Sequence, residues 1–294
     1  MKRLIALFAL LLVACSMPAD APKLMTWPDL LGRPRPKPDA TVTYGADPLQ
    51  RVDVWLPKGA GPFLVVLMVH GGCWSSDIAD RTIMDWIADD LRAEGIAVWN
   101  IDYRGVDRAG GGYPGTFLDA AAAADALPAN AARYHLDLQR IVAVGHSAGG
   151  HLALWLAGRP KLPAGSELRT ARPLRINHVI SLGGLPDLAA TAARPDNGCG
   201  TEVVGQLVGK GRADLYADTS VPRLLPIGVP QDLINGTDDR IIPLRLGTGY
   251  TALATKAGDK AALHVIPATG HVELIAPESA AWAEAKRLIR AAFK

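Results

Sequence analysis

The sequence carries almost no net charge. It has 31 Lys and Arg residues against 29 Asp and Glu residues, and the excess comes from Lys2 and Arg3, without which 29 basic residues remain. A chain with no excess of positive charge lacks the basic surface by which proteins bind the phosphates of nucleic acid. We therefore expect no nucleic-acid partner.

The motifs that hold common cofactors are also absent. The sequence contains no H-E-x-x-H, no paired C-x-x-C and no G-x-x-x-x-G-K-[ST]. These patterns supply metal ligands or a cradle of backbone N–H groups for phosphates. We therefore predict no metal site and no cofactor.

No apolar run is long enough to cross a bilayer. The longest extends over eleven residues, from Leu4 to Ala14, whereas a membrane-spanning helix needs about 20. This run follows Lys2 and Arg3 and ends at a junction of small residues, Ala14-Cys15, which are the features of an export signal. Residues 1–15 are therefore predicted to be a signal peptide.

Cys15 is one of only three cysteines in the chain. The segment Leu12-Val13-Ala14-Cys15 resembles a bacterial lipobox, in which the cysteine becomes the acylated first residue of the mature lipoprotein. Multiple acyl chains anchor a protein stably to a membrane. We expect lipidation at Cys15 and a periplasmic location, with Ser16 favouring the outer membrane. Ordinary secretion, with Cys15 lost in the cleaved peptide, is the alternative.

Prolines are concentrated just after this segment, at positions 18, 22, 28, 34, 36 and 38. Proline-rich segments are extended and semi-rigid. Residues 16–40 are therefore predicted to form a stiff tether that holds the remaining chain off a bilayer and carries no chemistry.

A serine lies between two glycines in Gly145-His146-Ser147-Ala148-Gly149. It follows an apolar run, residues 141–144, and precedes a helix-like run, residues 148–157. A serine at a sharp strand-to-helix turn has strained backbone geometry, and flanking glycines keep side chains away from its hydroxyl. The N-terminus of the following helix then faces any oxyanion formed there. Ser147 is therefore predicted to be a nucleophile.

A nucleophile of this kind is followed along the chain by an acid and then by a histidine. Two histidines lie far enough downstream. His264 belongs to an alternating, strand-like run, where a side chain is usually packed or solvent-facing. His271 follows that strand in a loop, which can carry an imidazole over the edge of a sheet. We predict His271 as the base.

The acid is expected in the loop after the apolar run 231–234, where Asp238 and Asp239 are adjacent. Asp239 lies three residues before Ile242-Pro243, which resembles the spacing of D-x-x-V-P acid loops in hydrolases. We therefore predict Asp239 as the acid. Asp238 is interpreted as a turn residue that caps the loop.

Another glycine-rich loop, His70-Gly71-Gly72-Cys73-Trp74, follows the strongest strand candidate, Phe63 to Val69. The backbone N–H groups of Gly72 or Cys73, together with that of Ala148, are predicted to bind an oxyanion. Trp74 is predicted to wall a substrate pocket, with a structural role as the alternative.

Apolar runs alternate with helical patterns through the rest of the chain, which predicts a mostly parallel sheet with helices on both faces, an α/β fold. Strands are expected near residues 64–69, 96–101, 141–144, 179–182, 231–234 and 263–266, with helices near 80–94, 116–127, 148–157, 244–257 and 278–292. An antiparallel pair near 41–44 and 50–56 is expected at the edge. Residues 41–294 would form one catalytic domain, with a small lid at 183–230 between the sixth and seventh strands.

Together these motifs resemble the α/β-hydrolase superfamily, specifically the esterase group that includes kynurenine formamidase-like and feruloyl or acetyl-xylan esterase-like enzymes. The resemblance covers most of residues 45–294. It depends on HGGCW (70–74), WNIDYR (99–104), GGYPGTFLD (111–119), GHSAGGHLALWLA (145–157), GTDDRIIP (236–243) and GHVELIAP (270–277).

The resemblance implies a serine carboxylesterase that cleaves short-chain acyl or aryl esters of small molecules or carbohydrates through an acyl-enzyme. An arylformamidase, a peptidase of the same fold and a non-catalytic binding module are the alternatives. Cys73 stands where hormone-sensitive-lipase relatives carry a third glycine, which implies a narrower pocket.

Export also bears on the two remaining cysteines, Cys73 and Cys199, because thiols outside the cytoplasm can pair. A disulfide between them would join the oxyanion loop to the lid. Two buried free thiols are the alternative.

Overall fold

The computed structural model describes residues 23–294. Its strands are β1 (Ala40–Thr43), β2 (Arg51–Trp55), β3 (Phe63–Val69), β4 (Ala97–Ile101), β5 (Leu136–His146), β6 (His178–Leu182), β7 (Gln231–Gly236) and β8 (Ala261–Ile266). They form one sheet in the order β1-β2-β4-β3-β5-β6-β7-β8. The β1–β2 and β2–β4 pairs are antiparallel, and the other neighbours are parallel.

Helices cover both faces of this sheet. Within the described residues they are α1 (Trp27–Leu31), α2 (Asp85–Ala93), α3 (Gly115–Asp125), α4 (Leu127–Tyr134), α5 (Ala148–Gly158), α6 (Leu188–Ala192), α7 (Glu202–Val208), α8 (Leu244–Lys256) and α9 (Ala280–Ala292). Short 3₁₀ turns occur at Arg81–Met84, Arg159–Lys161, Val221–Arg223 and Glu273–Ile275.

The central strand β3 shows why its sequence is apolar throughout. Val65 and Leu67 point into one core, with α3 and α5, whereas Val66 and Met68 point into the other, with α2 and α9. A parallel strand covered on both faces has no solvent side, so the alternation of polar and apolar residues disappears. Every residue of α5 is likewise buried, which explains a helix that is apolar on all sides.

The predicted fold class is confirmed. The eight-stranded, mostly parallel sheet with helices on both faces is an α/β arrangement, and an antiparallel pair lies at its β1 edge. Residues 183–230 form α6, α7 and a 3₁₀ turn between β6 and β7. Val204 and Leu207 of α7 are buried in the main core, so much of this region packs against the body of the domain.

The described part of the predicted tether is not extended throughout, because it contains a helix. Residues 27–31 form α1, which begins with a capping box between Thr26 and Asp29, and Leu30 is buried against α2 and α9. Burial of this leucine and the helix cap outweigh the extended preference of the surrounding prolines. The prediction is therefore wrong for residues 23–39, which belong to the folded domain.

No helix within residues 23–294 has the length and hydropathy needed to span a membrane. The predicted signal peptide and the lipidation site Cys15 lie outside the described residues.

Candidate active site

Loops that follow four strands meet at one edge of the sheet. β3, β5, β7 and β8 run parallel, so the segments after their carboxyl ends are neighbours. The strand order reverses beside β3, because β4 lies on one side of it and β5 on the other. Open α/β sheets bind ligands in the crevice at such a reversal.

Ser147 occupies the sharp turn between β5 and α5. Its backbone has φ 56° and ψ −121°, a combination that L-residues rarely adopt, and its N–H donates to the carbonyl of Leu182 at 2.8 Å. An added Cβ at Gly149 would lie 2.2 Å from the carbonyl oxygen of Val69, and one at Gly145 would lie 2.1 Å from that of Gly149. The two glycines therefore permit the turn and the close approach of α5 to the end of β3.

His271 and Asp239 form a buried pair. The Nδ1 of His271 donates to Oδ2 of Asp239 at 2.7 Å, and Oδ1 accepts from the N–H groups of Ile241 and Ile242 at 2.9 and 2.8 Å. These contacts fix the carboxylate and hold the imidazole with its proton on Nδ1. Hydrogen bonds in the described residues join His271 to Asp239 and His146, but not to the hydroxyl of Ser147. In hydrolases this last contact is often long before substrate binds.

The two alternative residues have other partners. Asp238 is exposed and accepts a hydrogen bond from the hydroxyl of Thr237 at 2.7 Å. His264, on β8, contacts Asp232 at 2.6 Å and Glu284 at 3.1 Å. The structure therefore brings neither of them into the His271–Asp239 pair.

The loop after β3 brings backbone N–H groups beside the serine. Gly72 and Cys73 have φ values of 98° and 52°. Both line the same cleft as Ser147. Within residues 23–294 no hydrogen bond uses the N–H of Gly72 or Cys73. Gly71 touches the elbow, where an added Cβ would lie 2.9 Å from the Cβ of Ser147. Ala148, the third predicted donor, is the first residue of α5.

Contacts with the end of β4 hold this loop in place. The Nε2 of His70 donates to Asp102 at 3.0 Å, and its ring stacks on Tyr103 with centroids 4.3 Å apart. The hydroxyl of Tyr103 donates to the carbonyl of His70 at 3.0 Å. These buried contacts fix the point at which the glycine-rich loop leaves the sheet.

A disulfide joins Cys73 to Cys199, with Cα atoms 5.3 Å apart. The hypothesis of this pairing therefore agrees with the structure. Cys199 lies between α6 and α7, so the bond joins the glycine-rich loop after β3 to the segment that follows β6.

Trp74 does not reach the cavity. Its side chain is fully buried in the core, and its Nε1 donates to Nδ1 of His151 at 3.2 Å. Burial lowers the pKa of His151 to about 4, so this imidazole is neutral and its second nitrogen donates to the carbonyl of Thr219. The prediction that Trp74 walls the pocket is wrong, because the loop directs the indole into the core.

A cleft of about 400 Å³ contains Ser147 and the imidazole of His271. Its other walls include Trp27, Leu31, Ile78, Ala79, Ile83 and Ile241. Within the described residues no Asp, Glu, Lys or Arg lines it. Gly198 is the one residue of the predicted lid, residues 183–230, that lines this cleft. Helix α1, with Trp27 and Leu31, therefore supplies more of the wall than the lid does.

Sequence reasoning missed Trp27. Its indole lies edge-on to the rings of His146 and His271, with centroids 6.2 and 6.3 Å away. The available signal was the capping pattern Thr26-x-x-Asp29, which indicates the start of a helix even among prolines.

His146 is a second imidazole in the cleft. Its ring centroid lies 4.4 Å from that of His271, and its Nε2 donates to the backbone carbonyl of His271 at 3.2 Å. Burial, together with the neighbouring His271, holds the pKa of His146 well below its usual value. His146 is therefore neutral and adds no charge that would oppose protonation of His271.

The described residues contain no group of three His, Cys, Asp or Glu side chains suited to a metal ion. The sheet topology, the strained serine turn and the His–Asp pair at its carboxyl edge define a protein of the α/β-hydrolase fold. The BD-FAE family model matches residues 52–249, which is more than half of the chain, and the chain belongs to this family. That range includes Gly72, Cys73, Ser147 and Asp239, but neither Trp27 nor His271.

Similar proteins carry the names of esterases. The chain is 27% identical over 247 residues to esterase LipC of Mycobacterium tuberculosis, an alignment that covers 78% of this chain and 58% of LipC. The chain thus spans little more than half of that relative's length.

Solved structures show the same fold. A truncated carbohydrate esterase from gut microbiota has a TM-score of 0.72 at 21% identity, covering 88% of this chain and 98% of that one. Esterase B of Lactobacillus rhamnosis also has a TM-score of 0.72, at 18% identity and 88% coverage of both chains. The predicted fold and the resemblance to esterases of this superfamily are confirmed.

Proposed function

We propose that this protein is a serine carboxylesterase that hydrolyses short-chain acyl or aryl esters. The observation that carries the proposal is that His271, which pairs with Asp239, lines the same cleft as Ser147. An imidazole oriented by a carboxylate is the arrangement that activates a serine hydroxyl. The esterase names of the relatives support the same reaction class.

In the proposed mechanism Ser147 attacks the ester carbonyl while Nε2 of His271 takes its proton. Asp239 fixes the tautomer and stabilises the imidazolium. The N–H groups of Gly72 or Cys73 and of Ala148 bind the oxyanion, each contributing about 3–4 kcal/mol by analogy with enzymes from which such a donor has been removed. His271 then protonates the leaving alcohol, and water hydrolyses the acyl-enzyme by the same proton path.

Hydrolysis of p-nitrophenyl esters of increasing acyl length by the full chain tests this proposal. We expect turnover of short esters, and a loss of about 10⁴-fold or more in Ser147→Ala and His271→Gln. His264→Gln is the matched control and should keep wild-type activity. Turnover that survives Ser147→Ala would contradict the mechanism. A folded wild-type protein that cleaves formyl anilides but no ester would instead be a formamidase.

We propose in addition that the chain is exported and lipidated at Cys15. The basic Lys2-Arg3 pair, the apolar run up to Ala14 and the lipobox-like junction support this. The Cys73–Cys199 disulfide supports an oxidising compartment. Metabolic labelling with an alkyne fatty acid in a bacterial host should mark the wild-type chain and not Cys15→Ala. A secreted, unlabelled product would assign ordinary secretion.

A further inference from the structure

The N-terminal segment builds one wall of the cleft. Trp27 and Leu31, at the two ends of α1, both line it. Leu30 is buried in the core formed with α2 and α9. A helix of five residues has no stability of its own in water, so burial of Leu30 and the contacts on either side of it determine the position of Trp27.

Those contacts lie on both sides of the indole. Before it, the N–H of Met25 donates to the carboxylate of Glu273. After it, Arg33 donates to Glu278 at 2.9 Å. Glu273 also accepts from the N–H of Gly270 at 3.1 Å, so one carboxylate holds both the N-terminal segment and the loop that carries His271. The indole is thereby positioned relative to the base.

The chemistry of ester cleavage assigns this wall to one side of the substrate. In acylation the base gives its proton to the leaving oxygen, so the alcohol part of the ester must lie beside His271. The indole of Trp27 lies edge-on to that imidazole, with ring centroids 6.3 Å apart and planes at 79°. The indole therefore borders the space that the alcohol part occupies.

The cleft is apolar out to its mouth. Leu31, four residues after Trp27 and therefore on the same face of α1, lines the cleft and is nevertheless 41% exposed. Ile78 also lines the cleft and is 65% exposed. A sugar alcohol would lose hydrogen bonds to water here without finding charged side chains to replace them. A flat apolar alcohol would instead bury its surface against the indole.

We propose that Trp27, with Leu31, forms the binding site for the alcohol part of the ester and selects an aryl alcohol over a small alkyl or sugar alcohol. The inference rests on the proposed esterase function. Trp27 thus determines which alcohol part is bound and takes no part in proton transfer.

Two acetates test the inference on the full chain. 2-Naphthyl acetate and ethyl acetate give the same acetyl-enzyme, so a variant that changes their relative kcat/KM acts on the alcohol side. Trp27→Ala should lower kcat/KM for 2-naphthyl acetate about tenfold, and that for ethyl acetate by less than about twofold. Trp27→Phe should retain most of the preference. Leu31→Ala should show a selective loss of about threefold.

Leu253→Ala is the matched control, because Leu253 on α8 is also 41% exposed; its kinetics should not change. An equal loss for both acetates in Trp27→Ala would overturn the inference. A loss that instead follows acyl length, measured with 2-naphthyl acetate and hexanoate, would also overturn it. Thermal unfolding reports whether Trp27→Ala folds. If Trp27→Ala does not fold, Leu31→Ala provides the test. In that case, the absence of a selective loss of kcat/KM for 2-naphthyl acetate in Leu31→Ala overturns the inference.

Ser147→Ala keeps this test separate from that of the function. Acetate hydrolysis by Ser147→Ala would refute the esterase mechanism. Serine-dependent hydrolysis with an unchanged alcohol preference in Trp27→Ala would overturn only the role of Trp27.

Discussion

Gly198 donates its backbone N–H to the carbonyl oxygen of Ile241 at 2.7 Å, and this hydrogen bond joins two parts of the site. The residue after Gly198, Cys199, is disulfide-bonded to Cys73 in the glycine-rich loop after β3. The N–H of Ile241 in turn binds Oδ1 of Asp239 at 2.9 Å. A continuous series of covalent and hydrogen bonds therefore links the proposed oxyanion donors to the proposed acid.

Replacing both bonded cysteines, Cys73→Ser with Cys199→Ser, should lower the free energy of unfolding by about 2–5 kcal/mol. The bond closes a long loop, since its cysteines are 126 residues apart, and the unfolded chain regains that freedom. We also expect kcat/KM for p-nitrophenyl acetate to fall about tenfold, because the proposed oxyanion donors would no longer be held in a fixed position relative to Asp239. Urea unfolding and steady-state kinetics measure the two effects. Reductant should reproduce them in the wild type and leave the variant unaffected; unchanged kinetics would limit the disulfide to a stabilising role.

Asp239→Asn should lower kcat by about 10⁴-fold while the fold persists. The asparagine oxygen can still accept from Ile241 and Ile242, but its amide would face His271 and favour the wrong imidazole tautomer. Asp238→Asn is the matched control next to it and should stay within about twofold of wild type. Kinetics with p-nitrophenyl acetate compare the two variants. A larger loss in Asp238→Asn would reassign the acid.

Gly149→Ala should prevent folding or cost more than about 3 kcal/mol, because its methyl group would overlap the carbonyl of Val69. Gly205→Ala is the contrasting variant. Gly205 lies inside α7 and an added Cβ would meet no atom within 4 Å, so alanine should stabilise the protein by about 0.5–1 kcal/mol. Thermal unfolding of both variants measures the difference. A stable, active Gly149→Ala protein would refute the close approach of α5 to β3.

Asp85 should make the protein less stable as pH rises. It is 2% exposed, and burial raises its pKa from 3.8 to about 7. The unfolded chain releases this proton near pH 3.8 but the folded chain keeps it to about pH 7. Between those values the folded state binds more protons, so the free energy of unfolding falls with rising pH and then levels off.

Asp85→Asn should remove this decrease of the free energy of unfolding with rising pH. We expect it to raise the free energy of unfolding at about pH 8 by about 2–4 kcal/mol and to change little at about pH 4. Urea unfolding at the two pH values measures the effect. An asparagine variant that loses stability equally at both would contradict the raised pKa of Asp85.

The sequence could predict that Ser147, Asp239 and His271 lie at one edge of the sheet, for one physical reason. Each follows an apolar run, and parallel strands bring their carboxyl ends to the same edge of a sheet. Chain order and loop spacing therefore carry three-dimensional information. The fully apolar run of β3 likewise identifies the strand buried on both faces.

Trp27 and Trp74 could not be placed in this way, because long-range packing decides where their side chains lie. The bond from Met25 that positions Trp27 goes to Glu273, 248 residues away. The indole of Trp74 is buried in the core, where it donates a hydrogen bond to His151, 77 residues away. No local sequence pattern encodes either contact. The sequence therefore gives no sign that Trp27 lines the cleft, and it wrongly suggests that Trp74 does.

The position of α1 at the rim also determines how an attached protein would meet its substrates. Seven residues lie between Cys15 and Lys23, where the described chain begins, so the eight steps from Cys15 to Lys23 could span at most about 28 Å. A lipid on Cys15 would therefore keep the mouth of the cleft within a thin layer above the bilayer. Esters partitioned into the adjacent membrane are concentrated there and diffuse in two dimensions, so the supply of substrate would depend on membrane composition as much as on bulk concentration.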